Sequence, residues 1–177
     1  HSVPATILIV DDDTAIQNLL SIILQRRGYR VLTSGTAADG LAQLAEHQAE
    51  LVLMDYQLPD RDGLSTLLEI KALYSSSYVI MVTGRGNEEL AVELMKAGAS
   101  EYLLKPFDTR VLSDRIEAVL KLREIELANQ ALQAEREHLL LEIETWNREL
   151  QTRVQERTEA LHRAQSEIAQ TEKLAAL

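Results

Sequence analysis

The sequence predicts an α/β domain, built around a parallel five-stranded sheet and followed by one long helix. Two observations lead to this fold class. From Ala5 to about Leu104, apolar runs of strand length alternate with helical patterns, as in βαβ units around a parallel sheet. From residue 109 to residue 177 there is neither Gly nor Pro, and Glu, Gln, Arg, Leu and Ala predominate, as in a long helix or a coiled coil.

The elements of the α/β part follow in order along the chain. Apolar residues at helical spacing predict a first helix from about Thr14 to Arg27, and Gly28 stands where a helix C-terminal cap belongs. Three shorter amphipathic patterns predict further helices at about residues 37–44, 64–68 and 90–98. The five predicted strands are Thr6–Val10, Tyr29–Thr33, Leu51–Met54, Tyr78–Val82 and Tyr102–Leu104.

Composition narrows the class of function. The chain has 177 residues, of which 46% are hydrophobic, enough for one packed domain and an additional element. A formal net charge of −10 argues against a nucleic-acid-binding surface, which needs clustered Lys and Arg. No apolar stretch approaches the roughly 18 residues that span a bilayer, and the absence of Cys leaves neither disulfides nor a thiolate metal site. We therefore expect a cytoplasmic protein that binds no nucleic acid and has no membrane span in this segment.

Acidic residues follow two of the apolar strands. Asp55 closes the run Leu51–Met54, and Asp11, Asp12 and Asp13 follow the first strand. Because the carboxyl ends of neighbouring parallel strands meet at one edge of a sheet, we expect Asp11, Asp12 and Asp55 to lie close together. Carboxylates that converge on one point need a cation, and a few oxygen ligands with room for water favour Mg²⁺ over Ca²⁺. We expect Asp13 to cap the first helix instead.

Two more polar residues stand at predicted strand ends. Thr83 follows the fourth strand and precedes Gly84, and Lys105 follows the fifth strand and precedes Pro106. A hydroxyl and an ammonium group at adjacent strand ends would hold the oxygens of a phosphoryl group, while Mg²⁺ neutralises the charge of a loose transition state. Each residue taken singly also fits an ordinary strand or loop, so it is their joint position that indicates a phosphoryl-transfer site.

Residues 5 to about 122 resemble the receiver domain of two-component response regulators. The matching motifs are Ile-Leu-Ile-Val-Asp11-Asp12, Leu-Val-Leu-Met-Asp55 with Leu58-Pro59 and Asp62-Gly63, Val82-Thr83-Gly84, and Tyr102-Leu-Leu-Lys105-Pro106-Phe107. Their order, spacing and strand context all match. The resemblance implies a flavodoxin-like, doubly wound fold with strand order 2-1-3-4-5 and a fifth helix beginning near residue 109.

The resemblance also implies how the acidic residues act. Asp55 would accept a phosphoryl group from the phosphohistidine of a histidine kinase or a phosphotransfer protein. Mg²⁺, or Mn²⁺ in its place, would be bound directly by Asp12, by Asp55 and by the main-chain carbonyl of Gln57. Asp11 would act on the same ion mainly through water.

Three further residues take roles from the resemblance. Lys105 would contact the phosphoryl group, and its bond to Pro106 would be cis. Thr83 would move towards the phosphoryl group, and Tyr102 would be the switch aromatic that turns inward as it does so. Alternatively, Tyr102 is only an edge-strand aromatic that covers the core.

Core positions recur in steps of four and three through the long helix, which is the heptad pattern of a coiled coil. The predicted core residues are Ala118, Leu122, Ile125, Asn129, Leu132, Arg136, Leu139, Ile143, Trp146, Leu150, Val154, Leu161 and Ile168. Asn129 and Arg136 are polar, which costs stability but fixes register and strand number, so we expect a parallel homodimer. Two successive steps of four around Leu150 form a stutter, where local unwinding of the supercoil would let a rotation at one end reach the other.

The far end of the chain suggests an output. Glu156-Arg157-Thr158 resembles the signature of signalling helices that join sensory modules to catalytic modules, and residues 170–177 resemble the lead-in to the dimerisation helix of histidine kinases. We therefore expect a receiver domain at residues 1–122, a coiled-coil signalling helix at 123–177 and a histidine kinase beyond Leu177, as in hybrid sensor kinases. His162 lacks the acidic residue that follows the phosphoacceptor His of such kinases and is expected on the helix surface.

Other interpretations stay open at this point. The same receiver and coiled coil would also suit a cyclase, a diguanylate cyclase or a phosphatase as output, and the long helix would alternatively be a passive dimerisation stalk. Asp11-Asp12-Asp13 contains an Asp-x-Asp pattern, which in one class of phosphohydrolases holds an aspartyl nucleophile after the first strand. Ala15, however, stands where that class requires Thr or Val.

Overall fold

The computed structural model describes residues 3–84 and 86–176, in which strands and helices alternate along the chain. The strands are β1 (Thr6–Val10), β2 (Arg30–Ser34), β3 (Leu51–Asp55), β4 (Tyr78–Thr83) and β5 (Glu101–Leu104). The helices are α1 (Thr14–Arg26), α2 (Ala37–Glu46), α3 (Gly63–Leu73), α4 (Glu88–Lys96) and α5 (Thr109–Ala175).

The five strands form one parallel sheet in the order β2-β1-β3-β4-β5, as the sequence predicts. Helices cover both faces: α1 and the first turns of α5 pack on one, and α2, α3 and α4 pack on the other. Because β1, β3 and β4 are buried throughout, they read as continuous apolar runs rather than as alternating patterns. This is the flavodoxin-like fold, with a carboxyl edge at which the strand ends meet.

Side chains and glycines fix the helix ends. Each of the first four helices is capped by a polar side chain that accepts a hydrogen bond from a first-turn N–H group. The capping residues are Asp13, Thr36, Asp62 and Asn87. The predicted cap at Asp13 is therefore confirmed. Gly28 and Gly98 follow α1 and α4 with φ angles of 94° and 110°, a conformation that favours glycine, so the chain can reverse there.

Several strand ends differ by one residue from the prediction. β3 includes Asp55 and β4 includes Thr83, because both residues still pair with the neighbouring strand. β5 likewise begins one residue earlier, at Glu101. β2 begins after Tyr29, because the N–H of Tyr29 donates to the carbonyl oxygen of Leu24 and so belongs to the end of α1.

Contacts at the opposite edge of the sheet hold the early part of α5. The Tyr78 hydroxyl donates a hydrogen bond to Oε2 of Glu126. Arg123 Nε donates to the carbonyl oxygen of Ser76 over 2.7 Å, and the Lys71 ammonium lies 4.9 Å from the centre of the Tyr78 ring. These polar contacts add to the apolar packing of α5 and extend its attachment to Glu126.

The chain forms two compact units, His1–Glu126 and Leu127–Leu177. The described part of the second unit is helical up to Ala175, without interruption at the predicted stutter, and its side chains are largely exposed. None of the helices in the described ranges combines the length and the apolarity that a bilayer crossing requires.

Candidate functional site

The carboxyl edge of the sheet brings the predicted site residues together. Val10 pairs with Met54, so Asp11, which follows β1, lies beside Asp55 at the end of β3. Asp55 in turn pairs with β4, one position before Thr83. The N–H of Lys105, just after β5, donates to the carbonyl oxygen of Thr83 over 2.8 Å. Four adjacent strands therefore each contribute a polar group to one place.

The acidic cluster has the donor set of a hard divalent cation. Asp11, Asp12 and Asp55 each offer a carboxylate oxygen, and these oxygens lie within 4.8 Å of one another. Asp11 and Asp55 are buried, whereas Asp12 is exposed and accessible to water. Oxygen ligands that leave room for water suit Mg²⁺, so the residues present fit the predicted ion.

Lys105 joins the two buried carboxylates. Its ammonium nitrogen lies 2.9 Å from Oδ2 of Asp55 and 3.0 Å from Oδ2 of Asp11. Burial raises the pKa of Asp11, and the N–H of Asp13 and the ammonium of Lys105 offset this only in part. Burial disfavours the charged form of Lys105, but hydrogen bonds and charges from Asp55 and Asp11 outweigh it and raise the pKa of Lys105. The ammonium thus stays protonated. The peptide bond from Lys105 to Pro106 is cis, as predicted.

A short loop at residues 56–62, which we call the β3–α3 loop, continues from Asp55. The N–H of Gln57 donates to Oδ1 of Asp55 over 3.1 Å, and Gln57 also pairs with Asp62 in an isolated antiparallel bridge. The N–H of Gly63 donates to the carbonyl oxygen of Tyr56 over 2.7 Å, which closes the base of the loop. The predicted carbonyl ligand, Gln57, therefore lies in a loop that starts at the acidic cluster.

Thr83 and Tyr102 lie on the same face of the sheet. Thr83 is fully buried, and Tyr102 is partly buried and packs on the core beside α4. Tyr102 pairs with Met81 and Leu104 pairs with Thr83, so the two predicted switch residues are diagonal neighbours on adjacent strands. This arrangement puts them within the same packed layer.

Two residues at the site were not anticipated from the sequence. Gln17 on α1 donates through Nε2 to the carbonyl oxygens of Asp11 and Ser34, which ties the ends of β1 and β2 together. Asp60 accepts hydrogen bonds from the first turn of α2. An Asp directly after Pro59 is a signal of a turn or a cap, but its partners are distant in sequence.

The predicted core positions of the long helix lie on α5. In the part after Glu126 the apolar ones are all exposed, namely Leu132, Leu139, Ile143, Trp146, Leu150, Val154, Leu161 and Ile168. Leu122 and Ile125, in the first unit, are also exposed, and the polar positions Asn129 and Arg136 lie among them in the helix. The structure thus places a row of exposed apolar side chains on a helix at heptad spacing.

Comparison with known proteins identifies the first unit. Residues 7–117 match the family described as the response regulator receiver domain. The transcriptional regulatory protein ZraR of Salmonella typhimurium is 40% identical over 114 residues, which are 64% of this chain and 26% of that protein. The transcriptional regulatory protein AfsQ1 of Streptomyces coelicolor is 35% identical over 126 residues, 71% of this chain and 56% of that protein. The chain thus spans only about a quarter to a half of these relatives.

Solved structures agree with the sequence matches. A CheY-like receiver domain from Methanospirillum hungatei JF-1 is 39% identical, with a TM-score of 0.67 over 70% of this chain and 98% of that one. The beryllofluoride-activated NtrC4 receiver domain, described as a dimer, is 32% identical, with a TM-score of 0.64 over 67% of this chain and 98% of that one. Both matches cover most of the first unit, and the two named curated relatives are transcriptional regulators rather than histidine kinases.

Proposed function

Because this chain belongs to the response regulator receiver family, we propose that Asp55 is its phosphoacceptor in a two-component phosphorelay. Receiver domains take phosphate from histidine kinases and bind Mg²⁺ through an acidic pocket. The observation that carries the proposal is the contact of the Lys105 ammonium with both buried carboxylates, Asp55 at 2.9 Å and Asp11 at 3.0 Å. It puts a fixed positive charge where the oxygens of an incoming phosphoryl group would lie.

The proposed step is transfer from a phosphohistidine to Asp55. A carboxylate oxygen of Asp55 forms a bond to phosphorus, the phosphorus–nitrogen bond of the donor breaks, and the imidazole nitrogen keeps the electron pair and takes up a proton. Asp12, Asp55 and the Gln57 carbonyl would bind Mg²⁺ directly, and Asp11 would act on it through water. When bound, the ion would neutralise the negative charge of the phosphoryl group. Lys105 binds a phosphoryl oxygen and orients it.

We further propose that Thr83 and Tyr102 carry the switch. Once phosphoryl oxygens are present, the Thr83 hydroxyl gains an acceptor at the edge of the sheet and moves towards it. Tyr102, its diagonal neighbour on β5, then turns inward and changes the surface formed by α4, β5 and α5. α5 is part of that surface and also contains the heptad positions, so the same helix carries the change onwards.

The output proposed for this signal is an attached histidine kinase, controlled through a parallel homodimeric coiled coil of α5. The exposed apolar row supports a second copy of this helix as partner, and residues 170–177 support a kinase as the next domain. Leu177 lies outside the described residues. A different output remains the second candidate, because the relatives named above are transcriptional regulators and a cyclase or phosphatase fits the same helix.

The test is labelling of the full 177-residue chain with acetyl phosphate and Mg²⁺, followed by peptide mass spectrometry. We expect one added phosphoryl group on the peptide that contains Asp55, and none in the matched variant Asp55→Asn. Rapid phosphate release with label at Asp11 would instead support the aspartyl phosphohydrolase. Coupling to α5 is measured separately, as a change in Trp146 fluorescence and dimer affinity on labelling. A passive stalk predicts no change in either quantity.

A further inference from the structure

The first turn of α2 is capped by a residue from another part of the chain. The side chain of Thr36, the helix N-cap, accepts from the N–H of Asp39 over 3.1 Å. The N–H groups of Ala37 and Ala38, which have no partner inside the helix, donate to Oδ1 and Oδ2 of Asp60, both over 2.9 Å. Asp60 thus completes the cap of a helix that begins 23 positions before it.

The Asp60 carboxylate and the N-terminus of α2 are complementary in charge. A helix N-terminus carries partial positive charge, and the two oxygens of one carboxylate each receive a separate N–H, so both position and orientation are fixed. The N–H groups of Ala38 and Ala37 also lower the pKa of Asp60, which keeps the carboxylate ionised. The contact is therefore present throughout the neutral pH range.

Asp60 lies at the exposed outer part of the β3–α3 loop. Tyr56 and Leu58 pack against the core, while Gln57, Pro59 and Asp60 are exposed. The position of these exposed residues must therefore depend on hydrogen bonds. Arg61, in contrast, contacts α3, with Nη1 2.7 Å from Oε2 of Glu69. The loop is thus tied to α2 by one residue and to α3 by the next.

We propose that Asp60 positions the main-chain carbonyl of Gln57 for the divalent cation by anchoring the β3–α3 loop to α2. The inference depends on the proposed function, because it takes Gln57 as a ligand of the ion. Only two residues separate Gln57 from Asp60, and the bridge between Gln57 and Asp62 closes a short turn that contains Asp60. A shift of Asp60 would therefore also move the peptide group of Gln57. Asp60 is accordingly a positioning residue and touches no reacting atom.

The test is Mg²⁺ affinity of the full chain, measured by calorimetry, with the Gln57 amide resonance followed in the same titration. We expect Asp60→Ala to weaken Mg²⁺ binding roughly tenfold, the low end of the range for residues that orient metal ligands. Asp60→Asn loses the same charge but keeps one acceptor oxygen, so its loss should be intermediate. Arg61→Gln, which alters the contact to α3 only, should bind Mg²⁺ as the parent does. Raising Mg²⁺ should restore labelling of Asp55 in Asp60→Ala.

Several results would overturn the inference. If Asp60→Ala binds Mg²⁺ as tightly as the parent, the anchor has no role at the ion. If Asp60→Asn equals Asp60→Ala and high salt abolishes both losses, the effect is the through-space charge of Asp60. If Arg61→Gln weakens binding equally, general loosening of the loop is the cause. A parent chain that binds Mg²⁺ without being labelled at Asp55 would instead refute the proposed phosphoacceptor.

Discussion

The ammonium nitrogen of Lys105 lies 2.9 Å from Oδ2 of Asp55, although 50 positions separate the two residues in the chain. The contact joins the end of β5 to the end of β3 across β4. Lys105 thereby holds together two carboxylates, Asp55 and Asp11, that would otherwise repel each other. If Asp55 is the phosphoacceptor, as proposed, the same ammonium is in place to bind a phosphoryl oxygen.

Replacement of Lys105 by Ala should slow labelling of Asp55 by acetyl phosphate. Loss of one preorganised charged group at a transition state typically costs on the order of a hundredfold in rate. The variant Lys105→Arg keeps the charge but presents a planar group of different shape, so it should recover only part of the rate. The initial labelling rate at saturating Mg²⁺ measures both. Equal rates in Lys105→Ala and the parent would remove Lys105 from the proposed site.

Much of the sheet and its edge could be predicted from the sequence, for a physical reason. Strands buried on both faces read as apolar runs, so β1, β3 and β4 are visible, and polar residues at their ends stand out. Asp11, Asp55 and Thr83 could be placed together in this way. The anchor from Asp60 to α2 could not, because no local pattern tells which distant N–H groups a loop carboxylate will meet.

The contacts that attach α5 at the opposite edge of the sheet could not be predicted either, for the same reason. Tyr78 and Glu126 are 48 positions apart, and neither stands in a motif. The heptad pattern predicts Leu122 and Ile125 as coiled-coil core, yet it gives no sign that Arg123 and Glu126, on the same turns, contact β4 and the segment before it. Periodicity identifies a face of a helix, while individual polar contacts depend on the tertiary fold.

Gly63 should not tolerate a larger side chain. A Cβ at this position would lie 2.7 Å from Cε of Met81 and 2.7 Å from Cα of Tyr56, and the second neighbour is backbone that cannot move aside easily. We expect Gly63→Ala to lower the free energy of unfolding by about 1–3 kcal/mol, measured by urea denaturation. Gly35→Ala is the matched control, because nothing lies within 4 Å of its added Cβ. Comparable losses in both variants would show that the close contact is not the cause.

Alkaline pH should weaken the attachment of Tyr78 to α5. Burial, together with the hydrogen bond to Glu126 and its charge, raises the pKa of Tyr78 to about 12 from an ordinary value of 10.0. A raised pKa in the folded state means that the neutral phenol stabilises the fold fully below pH 10, and that this contribution is lost as the pH rises from about 10 to 12. The amount is on the order of 2 kcal/mol.

The variant Tyr78→Phe isolates this effect, because every other ionisable group is the same in both proteins. Below pH 10 the parent should be the more stable of the two, and the difference in free energy of unfolding should shrink between pH 10 and pH 12. Urea denaturation at a series of pH values gives that difference. A difference that stays constant up to pH 12 would mean that Tyr78 is not protected from ionisation in the folded protein.

The proposed homodimer can be tested by replacing Leu with Glu at each of two nearby positions in turn. Leu139 is a predicted core position of the coiled coil, whereas Leu141 lies outside the heptad core, and both are exposed on α5. Leu139→Glu should weaken dimerisation at least a hundredfold. In the proposed dimer each chain would lose a Leu side chain that the interface buries, worth about 2 kcal/mol, and would place a charge there instead. Leu141→Glu should leave the dimer intact. Sedimentation equilibrium measures both. If the two variants weaken association equally, or if neither does, residues of the heptad row do not form the interface. The signal that we propose to start at Asp55 would then have to leave the receiver by another surface.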